Sequence, residues 1–129
     1  MPERFTFFFF ILALSLFFVA NLLARFFSLY WVYPWFDTPM HILGGVVIAL
    51  GLHSMPTIVA RIPRQRRTFY FTLTIVLIVG VLWEVFEYMV GYPRDDGYIL
   101  DTVTDMSGDA LGAVIGYYFV RTLEALHRN

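Results

Sequence analysis

Apolar side chains run almost unbroken over residues 5–24 and return, with a few polar interruptions, over 38–60, 68–90 and 102–121. Neither the strict alternation of a half-buried strand nor the one-sided stripe of a surface helix organises these stretches. They are apolar nearly all round, which is the pattern of helices solvated by lipid. At 1.5 Å per residue, about 20 residues cross roughly 30 Å of hydrocarbon. The expected architecture is therefore all-α: a polytopic membrane protein with four transmembrane helices in one bundle, forming a single domain over residues 1–129. Asp37 and Asp101 are candidate N-caps of the second and fourth helices, Pro39 falls in a first turn, and Pro56 is expected to bend the last turn of the second span. The first stretch is read as a span and not as a cleaved leader. Its basic flank is Arg4 alone, its apolar run is too long, and no small-x-small site follows it.

Composition agrees with this reading. Hydrophobic residues make up 59% of the chain and charged ones 15%, well beyond what a soluble domain of 129 residues could bury. A net charge of −1 and the lack of a basic stripe on a polar background exclude nucleic acid as a partner. With no cysteine, disulfides, thiolate zinc sites and cysteine nucleophiles are excluded as well.

The arginines set an orientation. Arg61, Arg64, Arg66 and Arg67 crowd the connection between the second and third stretches, and Arg121 and Arg128 lie near the C-terminus. The other connections hold Arg25 and Arg94, the latter beside Asp95 and Asp96. By the positive-inside rule both termini and the arginine-rich loop are expected in the cytoplasm. Tyr30, Trp31, Tyr33, Trp35, Tyr92 and Tyr98 then form an aromatic belt at the outer interface.

The candidate chemistry comes from ionisable groups inside the apolar stretches. Asp37 and His41 open the second, Glu84 and Glu87 close the third, and Asp101, Asp105 and Asp109 open the fourth. With alternating spans, His41, Glu87 and Asp105 each lie about 5 Å inside the outer boundary, Glu84 about 9 Å and Asp109 about 11 Å. Three helices thus bring their charged groups to one layer. The spacing i, i+4, i+8 puts the three aspartates on one stripe of their helix, and i, i+3 or i, i+4 does the same for the other pairs. Gly108, Gly112 and Gly116 repeat every fourth residue about 60° away, a small-residue line that lets membrane helices approach closely. Gly44 and Gly45 are placed to act similarly beneath His41. The glycine line equally fits association into a homo-oligomer. His53, about 120° round from His41, is read as a packing or hydrogen-bonded histidine.

Each such group costs roughly 2.5–3.5 kcal/mol to insert. Carboxylates this close cannot all ionise unless protons or cations balance them. An oxygen-rich set with one imidazole suits a divalent ion such as Mg²⁺, Mn²⁺ or Zn²⁺, with Asp37, His41, Glu84, Glu87, Asp101, Asp105 and Asp109 as candidate ligands. Glu84 and His41 are the candidates for a general base.

The stretches FDTPMHILGG, WEVFEY and DTVTDMSGDALGAVIG resemble those of the YjdF-like family of bacterial inner-membrane proteins and, more distantly, the VanZ-like membrane proteins associated with glycopeptide resistance. The resemblance covers roughly residues 36–118. It implies a shared Asp-x-x-x-His motif, a glutamate pair ending a helix, and an Asp-x-x-x-Asp followed by a glycine-rich helix. Asp37, His41, Glu84, Glu87, Asp101 and Asp105 fall on those motif positions, and no reaction comes with the resemblance.

Two function classes follow. One is a metal-dependent membrane hydrolase or transferase acting on a membrane lipid or a lipid-linked envelope precursor in the outer leaflet. The other is a proton- or cation-binding transporter or channel component. Against the second, the cytoplasmic halves of the spans offer only His53 and scattered threonines to continue a pathway.

Overall fold

The computed structural model describes residues 2–91 and 97–127, and every element among them is helical. α1 covers Pro2–Phe26, α2 is the short Leu29–Val32, α3 covers Asp37–Ser54, α4 is Pro56–Arg61, α5 covers Phe69–Val90 and α6 covers Tyr98–Leu126. Single 3₁₀ turns at Pro34–Phe36 and Arg64–Arg66 complete the connections.

Length and composition make three of these helices able to cross a membrane: Glu3–Phe26, Pro34–Ser54 and Phe69–Val90. α6 is longer still, at 29 residues. However, Asp101, Asp105, Asp109, Arg121 and Glu124 lower its hydropathy, and it does not join the three on composition. Only 6% of the apolar window of α1 and 22% of that of α5 are buried, against 44% for the window that includes α3. Phe8, Phe18, Leu82 and Met89 are exposed, so α1 and α5 present apolar surface outward, as lipid-facing helices do.

The centre is the parallel pair α3 and α6, along which Gly108 meets His41, Gly112 meets Ile42 and Gly116 meets Ala49 in turn. Glycines make their close approach possible. A Cβ on Gly112 would run into the Ile42 carbonyl, one on Gly45 would meet the Asp109 carbonyl, and one on Gly116 would strike Ala49 Cβ. The line Gly108, Gly112, Gly116 is therefore spent inside the chain against α3, and is already covered there. Gly44 turns the other way, toward Phe17 of α1. α1 packs on α3 and α5 on α6, while α1 and α5 stand apart on either side of the central pair.

Three boundaries differ from the sequence expectation. The second span does not continue to residue 60. Met55 precedes a proline and takes an extended backbone, so α3 ends at Ser54 and Pro56 starts α4. Asp37 is not a cap, because the turn Pro34–Phe36 leads into α3 with helical angles already at Phe36. Asp101 is not one either, since α6 begins at Tyr98 and leaves Asp101 inside its first turn. The cap that does form is at Thr68, whose hydroxyl accepts from the Phe71 N–H at 3.2 Å at the start of α5. α5 stops at Gly91, which has φ 76° and returns its N–H to the carbonyls of Glu87 and Tyr88.

Candidate functional site

His41 sits at the middle of the acidic end, on α3 and directly against α6. It is buried there because Gly108 has no side chain: a Cβ at that position would meet His41 Cβ at 3.2 Å. Both imidazole nitrogens face carboxylates. Nδ1 lies 3.2 Å from Asp109 Oδ1, while Nε2 lies 3.7 Å from Asp105 Oδ2 and 3.8 Å from Asp37 Oδ1. Only the first of these is a hydrogen bond by distance. Where Asp109 is ionised it can only accept, and the proton of that bond then resides on Nδ1.

Asp37, His41 and Asp105 each bring one ligand atom into a group whose members lie within 4.8 Å of one another. Asp105 is 2% exposed, and its Oδ1 has no hydrogen-bond partner. Asp109 Oδ2 is likewise buried without a partner. It sits against Gly80 of α5, where a Cβ would collide with it. The structure therefore draws four of the predicted residues, Asp37, His41, Asp105 and Asp109, around one imidazole.

The other three stand aside. Glu84 is buried one helical turn from Gly80 and accepts the Thr102 hydroxyl on Oε2 at 2.9 Å, leaving Oε1 without a partner. Glu87 is half-buried and accepts the Trp83 indole N–H at 2.9 Å. Asp101 is exposed on the first turn of α6. Arg94, Asp95, Asp96, Tyr92 and Arg128 lie outside the described residues.

Two cavities reach the His41 side of this end, and a third, of about 220 Å³, lies between α5 and α6 against Glu84 and Thr102. The first of the two, of about 120 Å³, lies between α1, α3 and α5 and is lined by both His41 and Asp109. Its neighbour, of about 240 Å³, lies above it beneath α2 and includes Arg25, Trp31 and Glu87. They share Asn21, Tyr30, Asp37 and Trp83.

A family model described as a predicted membrane protein family, DUF2238, matches residues 1–125. The chain belongs to this family. No curated protein and no solved structure matches it. Membership supports a membrane protein with several apolar helices and leaves the chemistry of the acidic end to be argued from its geometry.

The opposite end holds a polar cluster that the sequence reading missed. Glu124 of α6 accepts from Arg64 Nε at 3.1 Å, from Arg64 NH2 at 2.6 Å and from Arg121 NH1 at 2.9 Å. Arg67, only 3% exposed, donates to the His53 carbonyl at 3.1 Å, and its own carbonyl accepts from Arg121 at 3.0 Å. Arg121 also lies over the Tyr117 ring, 4.8 Å from its centroid. Burial pushes the Glu124 carboxyl up, but the hydrogen bonds from Arg64 and Arg121 outweigh it and hold the group below the usual glutamate range.

His53 behaves as expected of a packing histidine. Its Nε2 meets Thr72 Oγ1 at 2.9 Å and its ring packs edge-on against Tyr117. Since the Thr72 hydroxyl donates to the Thr68 carbonyl, it accepts from His53, which fixes the proton on Nε2. That half of the molecule is thus not devoid of polar groups, as its sequence suggested. Its arginines fold back from the loop onto α6.

Proposed function

We propose that this chain is a four-span inner-membrane protein with both termini in the cytoplasm and a divalent-cation centre near the outer face. We assign it hydrolase or transferase chemistry on a lipid or envelope precursor. The observation that carries this is the division of labour at His41. Nδ1 is hydrogen-bonded to Asp109, and Nε2 is turned toward Asp37 and Asp105. In metal sites a histidine commonly donates its second N–H to a carboxylate, which orients the ring and raises its basicity. Asp37, His41 Nε2 and Asp105 are accordingly the ligands, and Asp109 is the residue that positions His41. Three protein ligands leave room for water or substrate. The three ligand atoms lie within 4.8 Å of one another.

A cation held there supplies Lewis-acid chemistry, polarising a phosphoryl or carbonyl oxygen and lowering the pKa of water. Glu84 has its Oε2 fixed by Thr102 and an Oε1 without a partner, so it is the better candidate for general base; His41 is occupied on both nitrogens. The resemblance of these motifs to VanZ-like proteins is in keeping with an envelope precursor as substrate. A proton or cation relay would need a continuation. Below Asp109, α3 and α6 are closed by Gly45, Ala49, Gly112 and Ala113, with no ionisable side chain before His53.

Two measurements test this reading. Reporter fusions after Arg67 and after Asn129 are expected to report cytoplasm, and one after Asp96 the outside; an external signal after Arg67 breaks the shared layer. Detergent-purified protein is expected to gain stability on binding Mn²⁺, about 2.7 kcal/mol at 100-fold over the dissociation constant. A chelator reverses the gain, and Asp105→Asn abolishes it. Stability that responds to pH but not to divalent ions favours the relay.

A further inference from the structure

The two cavities on the His41 side of the acidic end adjoin through Asn21, Tyr30, Asp37 and Trp83, and they differ in character. The lower part opens between α1 and α5, the two helices that do not pack on each other, and therefore faces the bilayer sideways. Its walls are Phe17, Gly44, Ile48 and Val79. At its closed end lies Asp109, 5% exposed, with the unpartnered Oδ2. The upper part combines the rings of Tyr30, Trp31 and Trp83 with two carboxylates, Asp37 and Glu87, and has Arg25 as its one cation. Arg25 is oriented by Asn21, whose Oδ1 accepts from its Nε at 3.3 Å.

We infer that this space is a lateral entrance for a phospholipid with an ammonium-bearing headgroup. One apolar chain lies in the α1/α5 cleft, the ammonium sits among the indoles and Glu87, and the phosphate lies at Arg25. The inference rests on the reading of the acidic end as the reactive site and adds the class of substrate. Charge decides the headgroup. With Asp37 taken by the cation, Glu87 and Arg25 leave one charge of each sign in the vestibule, which a zwitterion meets with both of its ends and an anionic headgroup with one. Aromatic faces attract ammonium through the ring quadrupole, and more so where water is scarce. The narrow apolar cleft next to it supplies the burial that lipid-binding cavities use for most of their contact area. Gly44 faces Phe17 across the cleft, with the nearest ring atom 3.6 Å from where a Cβ would stand; a methyl group fits there, whereas a side chain as large as leucine fills the cleft.

The test uses the full chain carrying Trp35→Phe, so that Trp31 and Trp83 are the remaining indoles. It is reconstituted in bilayers containing either brominated phosphatidylethanolamine or brominated phosphatidylglycerol at equal mole fraction. Preferential quenching by the ethanolamine lipid is expected, equivalent to about three- to tenfold tighter association. Gly44→Leu, which closes the cleft, and Glu87→Gln, which removes a vestibule charge, are each expected to abolish most of that preference. Mn²⁺ binding is measured on the same samples and is expected to persist in both variants. Equal quenching by the two lipids overturns the inference, as does a full preference retained in both variants. Absence of Mn²⁺ binding with the lipid preference intact leaves the lipid site standing and removes the metal centre instead.

Discussion

The two ends of the α3–α6 pair bury charged groups by opposite means. At the arginine end, Glu124 is shared by Arg64 and Arg121 in three hydrogen bonds, and Arg67 gives its charge to a backbone carbonyl. Nearly every charge there is answered by the chain itself. At the acidic end, Asp37, Asp105 and Asp109 surround a single imidazole, and Glu84 has a threonine as its partner. Buried oxygens of Glu84, Asp105 and Asp109 are left without partners, and at the arginine end so are His53 Nδ1 and Arg67 Nε. Buried polar groups are ordinarily satisfied, because each orphan costs about 1–3 kcal/mol. The difference between the ends is therefore one of charge: the Glu124 carboxylate is answered by two guanidiniums, whereas at the acidic end three aspartates share one imidazole, and this makes the acidic end the candidate site.

The comparison breaks most severely where the two ends share a scaffold. Gly112→Val drives a side chain into the Ile42 carbonyl and separates α3 from α6. A loss of about 3 kcal/mol is expected, with both ends disrupted together in thermal unfolding and in limited proteolysis. A variant that unfolds one end while sparing the other would show that the ends are independent.

Next in size, removing an acid from each end should give opposite signs. Glu124→Gln leaves Arg64 and Arg121 facing an uncharged group. It is expected to destabilise by about 1–2 kcal/mol, less than a fully buried pair because Arg64 is 43% exposed. Asp105→Asn, with divalent ions chelated, removes one of several like charges and is expected to be neutral or stabilising by up to about 1 kcal/mol. Denaturant unfolding of both variants decides it, and equal destabilisation of the two would remove the distinction between the ends.

The pH response sharpens the same point. The carboxyl of Glu124 is held below its ordinary range when folded, so its contribution is complete above that range. It is lost as pH falls through the depressed folded value, when the protonated group no longer answers two arginines. The wild-type unfolding midpoint is expected to drop on acidification through that window. In Glu124→Gln this part of the drop should vanish, and an unchanged acid limb would count against the arginine end as its source.

The smallest expected effect concerns Thr102. Thr102→Val deletes the hydroxyl that fixes Glu84 Oε2, at a cost of about 1 kcal/mol in stability. If Glu84 acts as a base, the activity loss should exceed the stability loss, since the carboxylate is no longer held in one orientation. Activity and unfolding measured on the same preparation separate the two.

The sequence by itself determined the class of protein and the layer in which the charged groups lie. Apolar stretches of membrane length need no tertiary information, because the backbone must satisfy itself in lipid and the helix is the local way to do so. The i, i+4 spacings of Asp37 with His41 and of Asp101, Asp105 and Asp109 are equally local, and so is the glycine line that permits close approach. What only the tertiary structure decided is which members of that layer meet. Helix rotation places Asp109 on Nδ1 and Asp105 with Asp37 on Nε2, while Glu87 is turned toward Trp83 and Asp101 outward; a few tens of degrees separate these outcomes, and the sequence pattern does not resolve them. The arginine end was illegible for a different reason. Arg64 and Glu124 are 60 residues apart, and the arginine count was already accounted for by membrane orientation. Nothing local marks a loop cation that will fold back onto a helix. Pairing at that distance is set by packing, and packing is where a chain of apolar helices keeps the information that its composition does not carry.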